Sequence, residues 1–193
     1  NTSDGVCDAF FVHPKEGKHP AVLMWPDILA LRPSFEAMAS RLAESGYAVL
    51  CINPYYRDAK APVVETGESF RDESTQAKVL PMYRSLSPET HVRDARAFVD
   101  WLDGQASVDT TRAMGTMGYC MGGPMVMRAA AARAASRGAW AERLSSDNAT
   151  GSHNDLCVRV RVHTTVRRSF STKMLCRGQA WRARGQEAAR AAG

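Results

Sequence analysis

No uninterrupted apolar run in these 193 residues approaches the ~18 positions that a membrane span needs. No charged-then-apolar leader opens the chain either. Its five cysteines, Cys7, Cys51, Cys120, Cys157 and Cys176, are odd in number and lack the close pairing of a disulfide framework, which favours a reducing compartment. These absences predict a cytoplasmic protein. Isoleucine and tyrosine are missing from the last 57 residues, Arg137 to Gly193. Apolar positions there keep neither strand nor helix period beyond the short run Leu156 to Val166.

The same segment carries the basic excess of the chain. It holds 11 Lys+Arg, ten of them Arg, against 4 Asp+Glu, whereas Asn1 to Ser136 holds 14 against 16. Arg159, Arg161, Arg167 and Arg168 could meet phosphates through counterion release. The region offers few aromatics, Trp140, Phe170 and Trp181, so no stacking platform is expected and nucleic acid is an unfavoured partner. His153, Cys157, His163 and Cys176 are separated by three, five and twelve residues, a spacing that fits no structural zinc site. No metal or other cofactor is expected.

The first 136 residues are patterned. Gly5 to His13 reads as an edge strand. Ala21-Val22-Leu23-Met24-Trp25 and Ala48-Val49-Leu50-Cys51-Ile52 are continuous apolar runs of the kind buried on both faces of a parallel sheet. Between them Phe35, Met38, Ala39, Leu42 and Ala43 recur at helical spacing, with Ser34 as the expected N-cap and Gly46 as the stop. Gly67 to Met82 is polar and is predicted as a loop or short helix over one end of the sheet. Pro88 to Asp103 forms an amphipathic helix through Val92, Ala95, Phe98, Val99 and Leu102. Strand and helix alternate, which predicts a doubly wound, mostly parallel α/β sheet. The cluster Met114, Met117, Met121, Met125 and Met127 is expected to be soft core packing.

Gly118-Tyr119-Cys120-Met121-Gly122-Gly123 lies where a predicted strand, Thr111 to Met117, gives way to a predicted helix, Pro124 to Ala135. A strand-to-helix turn this tight needs small neighbours and pushes its central side chain into the open. At a helix N-terminus, unpaired N–H groups and the macrodipole favour a thiolate, so Cys120 is the candidate nucleophile.

This elbow, the strand pair Ala21 to Pro26 and Gly46 to Pro54, and the opening Ser3-Asp4-Gly5 resemble the dienelactone hydrolase family, a branch of the α/β-hydrolase fold with a cysteine nucleophile. The resemblance covers about residues 3 to 135. It implies an α/β-hydrolase-like domain over 1–136, and a basic, Arg-rich segment over 137–193 that leaves the sheet incomplete at its C-terminal end. It implies an oxyanion hole from the backbone N–H groups of Ile28 and Met121, and a carboxylate, Asp27, contacting the resting thiol. It also implies that Arg84 meets a substrate carboxylate, and that the substrate is a small ester or lactone cleaved through a cysteine acyl-enzyme without a cofactor.

The family also uses an Asp and a His that follow the nucleophile. Asp147, Asp155, His153 and His163 are present, but no strand-then-Asp or His-Gly context surrounds them. The abrupt change of composition near Arg137 is that of an out-of-frame reading of a GC-rich coding region, or of a divergent C-terminus. Two function classes follow: a hydrolase of this type, or an inactive α/β-hydrolase-like binding protein.

Overall fold

The computed structural model describes residues 1–136 and 155–159. Five strands, β1 (Ala9–Val12), β2 (Ala21–Trp25), β3 (Ala48–Ile52), β4 (Gly115–Tyr119) and β5 (Asp155–Arg159), form one sheet in the order β1-β3-β2-β4-β5. The central three are parallel, with Val22 beside Val49 and Gly115. β1 runs antiparallel to β3, and β5 antiparallel to β4. The helices among the described residues are α1 (Pro33–Glu44), α2 (Glu73–Ser85), α3 (Pro88–Asp103) and α4 (Gly122–Ser136).

Strand alternation sorts the two faces. Leu23, Trp25, Leu50 and Ile52 face a core built with Val79 of α2, Phe98 and Leu102 of α3, and Met125 and Val126 of α4. Val22, Met24, Val49 and Cys51 face the other way and pack on Phe35 and Ala39 of α1. Both faces of the central strands are therefore covered, and β2 and β3 are buried along their whole length, as their unbroken apolar runs require. Each fully buried Leu, Val or Met of this set contributes ~1.5–3 kcal/mol relative to exposure. Met114, Met121 and Met125 belong to the core, while Met127 is exposed.

One local expectation is corrected, at the start of α1. The N-cap of α1 is Arg32, which makes no side-chain capping bond, and Pro33 starts the helix because its fixed φ suits the first position. The polar stretch after Gly67, expected as a loop or short helix, contains α2, a helix of 13 residues that buries only Thr75 and Val79, one turn apart, so its sequence shows no broad apolar stripe. Beyond Arg137, Asp155–Arg159 form β5 on the open edge of β4. α3 begins as its sequence suggests, with a reciprocal capping box between Ser87 and Thr90 and Pro88 at N1.

Where α3 meets α4, buried His91 accepts a hydrogen bond at Nδ1 from Arg128 Nη1 (2.9 Å), since a guanidinium can only donate. The ring proton then sits on Nε2, which has no partner among the described residues. Burial first, and the Arg128 charge second, push the His91 pKa down from its ordinary 6.5 to about 4; Arg57 acts in the same direction, against Asp94 and Glu89. A depressed histidine favours the unfolded chain once that chain takes up the proton. Stability is thus expected to fall as pH drops from about 6.5 toward 4. Urea midpoints at pH 7, 5.5 and 4.5 should fall more steeply for the wild type than for His91→Gln; parallel declines would refute the assignment.

Candidate active site

The C-terminal ends of three adjacent parallel strands carry the site, the place where open α/β sheets bind ligands. β4 ends at Tyr119, and Cys120 follows with a left-handed φ of 52° before α4 starts at Gly122. The Cys120 side chain is exposed, while the flanking Met121 is buried. A non-glycine residue in this region costs about 1–2 kcal/mol, borne here because the surrounding packing leaves the chain no other course.

Two glycines impose that course. A Cβ on Gly118 would lie 2.6 Å from the Gly122 carbonyl oxygen and 2.8 Å from Val126 Cγ2. A Cβ on Gly122 would lie 2.6 Å from the Trp25 oxygen and 2.9 Å from the Pro26 oxygen. The elbow is therefore folded tightly on itself and pressed against the end of β2.

The loop after β2 is shaped by Asp27. Its carboxylate takes both guanidinium nitrogens of Arg32 (2.6 and 2.9 Å) and accepts the Leu29 N–H (2.9 Å), while its carbonyl accepts from Ala30 N–H. Among the described hydrogen bonds none joins Asp27 to Cys120. The side chain expected to touch the thiol organises its own loop through these bonds. Neither the Ile28 nor the Met121 N–H donates a hydrogen bond among the described residues. Arg84 lies exposed in the last turn of α2, beside exposed Tyr83, with no contact that brings it to Cys120.

One side chain that links these loops went unread in the sequence. Tyr55, fully buried in the loop after β3, directs its hydroxyl to the Ile28 carbonyl (3.1 Å) and to Met121 Sδ (3.3 Å), touching both residues expected to form the oxyanion hole. Burial, with Asp27, Tyr83 and Cys120 adding to it, pushes its pKa up, so it stays a neutral phenol. Asn53 fixes this loop: its Oδ1 accepts the Tyr55 N–H (3.0 Å) and its Nδ2 donates to Asp8 Oδ1 (3.0 Å) and to the Ala59 carbonyl (2.8 Å). Next to it, Arg57 makes a two-pronged pair with buried Asp94 (2.9 and 2.6 Å), which also accepts the Tyr56 hydroxyl (2.8 Å). The only sequence signal was the repeat of tyrosines after Asn53-Pro54, which carries no chemistry until the fold sets it under the elbow.

Residues 7–149 match the family model described as Dienelactone hydrolase family. The chain belongs to the dienelactone hydrolase family. The match runs past Ala135, where the resemblance in the sequence fades. A carboxymethylenebutenolidase from Pseudomonas sp. is 31% identical over 118 residues, 61% of this chain and 47% of that protein. Carboxymethylenebutenolidase 1 from Cupriavidus pinatubonensis is 25% identical over 129 residues, 67% of this chain and 53% of that protein. Among solved structures, a dienelactone hydrolase-like promiscuous phosphotriesterase from metagenomic libraries superposes with a TM-score of 0.51 at 25% identity, covering 67% of this chain and 51% of that one. The chain thus spans about half the length of the curated dienelactone hydrolase relatives it matches.

The remaining histidines of the described residues lie elsewhere: His13 and His19 flank the opposite end of the sheet, and His91 is held between α3 and α4. His153, His163 and Asp147 fall outside the described residues. Asp155 opens β5 in register with Tyr119, the residue before Cys120. Among the described residues no group of three or more His, Cys, Asp or Glu could hold a metal ion, and no helix is long and apolar enough to cross a membrane.

Proposed function

We propose that this chain cleaves a small carboxylic ester or lactone by acyl transfer to Cys120. The observation that carries the reading is the elbow itself: an exposed cysteine with φ of 52° at the C-terminal end of β4, two residues before α4. The thiolate attacks the carbonyl carbon, the carbonyl oxygen becomes an oxyanion, and the C–O bond to the leaving alkoxide then breaks to give a thioester. The Ile28 and Met121 N–H groups, which have no acceptor among the described residues, are the donors for that oxyanion. Water hydrolyses the thioester and returns the thiol. Asp27 and Arg84 have different parts: Asp27 shapes the donor loop, and Arg84 is a substrate-carboxylate contact only if α2 closes over the site.

The names of the Pseudomonas and Cupriavidus relatives support a lactone substrate. An activated aryl ester acylates a thiolate readily, and accumulation of the acyl-enzyme is the kinetic fingerprint of this route. Mixing the chain with p-nitrophenyl acetate in a stopped-flow instrument is expected to release a burst of nitrophenolate close to one equivalent, with the added acetyl mass on the peptide containing Cys120. Sustained turnover without a burst would mean that a base is supplied and that acylation is slow. Acetyl mass on another residue would refute the reading.

A further inference from the structure

We propose that Tyr55 is a positioning residue for the oxyanion hole, pinning one peptide unit of the donor loop and bracing that loop against the elbow; this rests on the acyl-transfer reading above. The Ile28–Leu29 peptide is held at both ends. Its carbonyl oxygen accepts from the Tyr55 hydroxyl (3.1 Å), and its N–H donates to Asp27 Oδ1 (2.9 Å), whose carboxylate is in turn clamped by Arg32. A peptide fixed by both polar groups cannot flip, so the backbone on the C-terminal side of Ile28 has a single setting. The Ile28 N–H, one peptide earlier, is left as the unengaged donor of the segment.

The same hydroxyl lies 3.3 Å from Met121 Sδ. It has one proton, which goes to the carbonyl as the better acceptor, and the sulfur contact packs Met121 against the ring. Tyr55 therefore touches both residues whose N–H groups would bind the oxyanion, across 27 and 66 residues of sequence. An oxyanion hole works because its donors are fixed before charge develops, and a shift of a few tenths of an ångström in one of them weakens it. Tyr55 is itself fixed by Asn53 and fully buried, so the brace has a rigid base.

Removing the hydroxyl should slow the step that forms an oxyanion and spare a reaction at the same sulfur that forms none. In Tyr55→Phe, acylation of Cys120 by p-nitrophenyl acetate at saturation is expected to be about 10- to 100-fold slower, less than the loss of a whole donor. The half-saturating ester concentration and the rate of alkylation by iodoacetamide should stay within about twofold, since neither involves an oxyanion. Asp27→Ala, which frees the other end of the same peptide, is expected to show the same split, and it serves if Tyr55→Phe does not fold. Unchanged acylation in both variants, with the wild type acylated at Cys120, would overturn the role of Tyr55 alone. Acylation and alkylation falling together would mean general disordering and overturn it as well. A wild type that alkylates but is never acylated would remove the acyl-transfer reading and the brace with it.

Discussion

Cys120→Ala is expected to abolish ester cleavage, lowering the rate of nitrophenolate release by about 10⁴-fold or more and eliminating the acetyl mass. The loss is large because neither Cys7 nor Cys51 can take over. Cys7 donates to backbone carbonyls of Asp8 and Asn53, and burial pushes its pKa up to about 12; Cys51 is buried in β3 with its pKa likewise pushed up to about 12. Both remain thiols at neutral pH: Cys7 is tied to the Asn53 carbonyl just past β3, and Cys51 faces α1. Alanine retains the backbone demand at a φ of 52°, so the variant should melt within about 1 kcal/mol of the wild type, and the effect can be read as chemistry. Thermal melts beside the burst assay check this. A variant that keeps its burst would place the nucleophile elsewhere.

Gly118→Ala is expected to cost about 3 kcal/mol or more, a drop in melting temperature of about 6–12 °C for a chain of this size. The new methyl would sit 2.6 Å from the Gly122 oxygen and 2.7 Å from its carbonyl carbon, and backbone cannot swing aside as a long side chain would. Relief requires α4 to move away from β4, which carries Met121 away from Ile28. Activity should therefore fall further than stability. Gly104→Ala provides the contrast: its Cβ would meet the Trp101 oxygen at 3.5 Å, an ordinary contact, in a right-handed conformation with φ of −82°. That variant is expected to stay within about 0.5 kcal/mol of the wild type. Comparable losses from the two substitutions would deny the tight elbow.

The central sheet was legible because burial on both faces leaves its signature in continuous apolar runs, and β2 and β3 sit where those runs are. The elbow was legible because Gly118, Gly122 and Gly123 bracket one cysteine, and only a tight turn needs that. α2 was legible only as a loop or short helix, since a helix that buries Thr75 and Val79 alone has almost no apolar stripe to betray it. The pairing of Asp27 with Arg32 was not legible, because a carboxylate next to a loop donor reads equally well as a thiol partner and the guanidinium meets it only in three dimensions. Tyr55 was the least visible. Its two partners lie in loops that are adjacent only because β2 stands between β3 and β4 in the sheet, an order that no local pattern encodes.

The direction of β5 sets a minimum tether for anything that would serve Cys120 from the C-terminal side. Asp155 stands beside Tyr119 at the elbow, but Arg159 stands beside Gly115, so the polypeptide departs from the far end of the sheet. It has run about 13 Å away from the thiol by then. A proton carrier lying beyond Arg159 must first retrace that distance, which consumes about four residues of extended chain in addition to those of a turn.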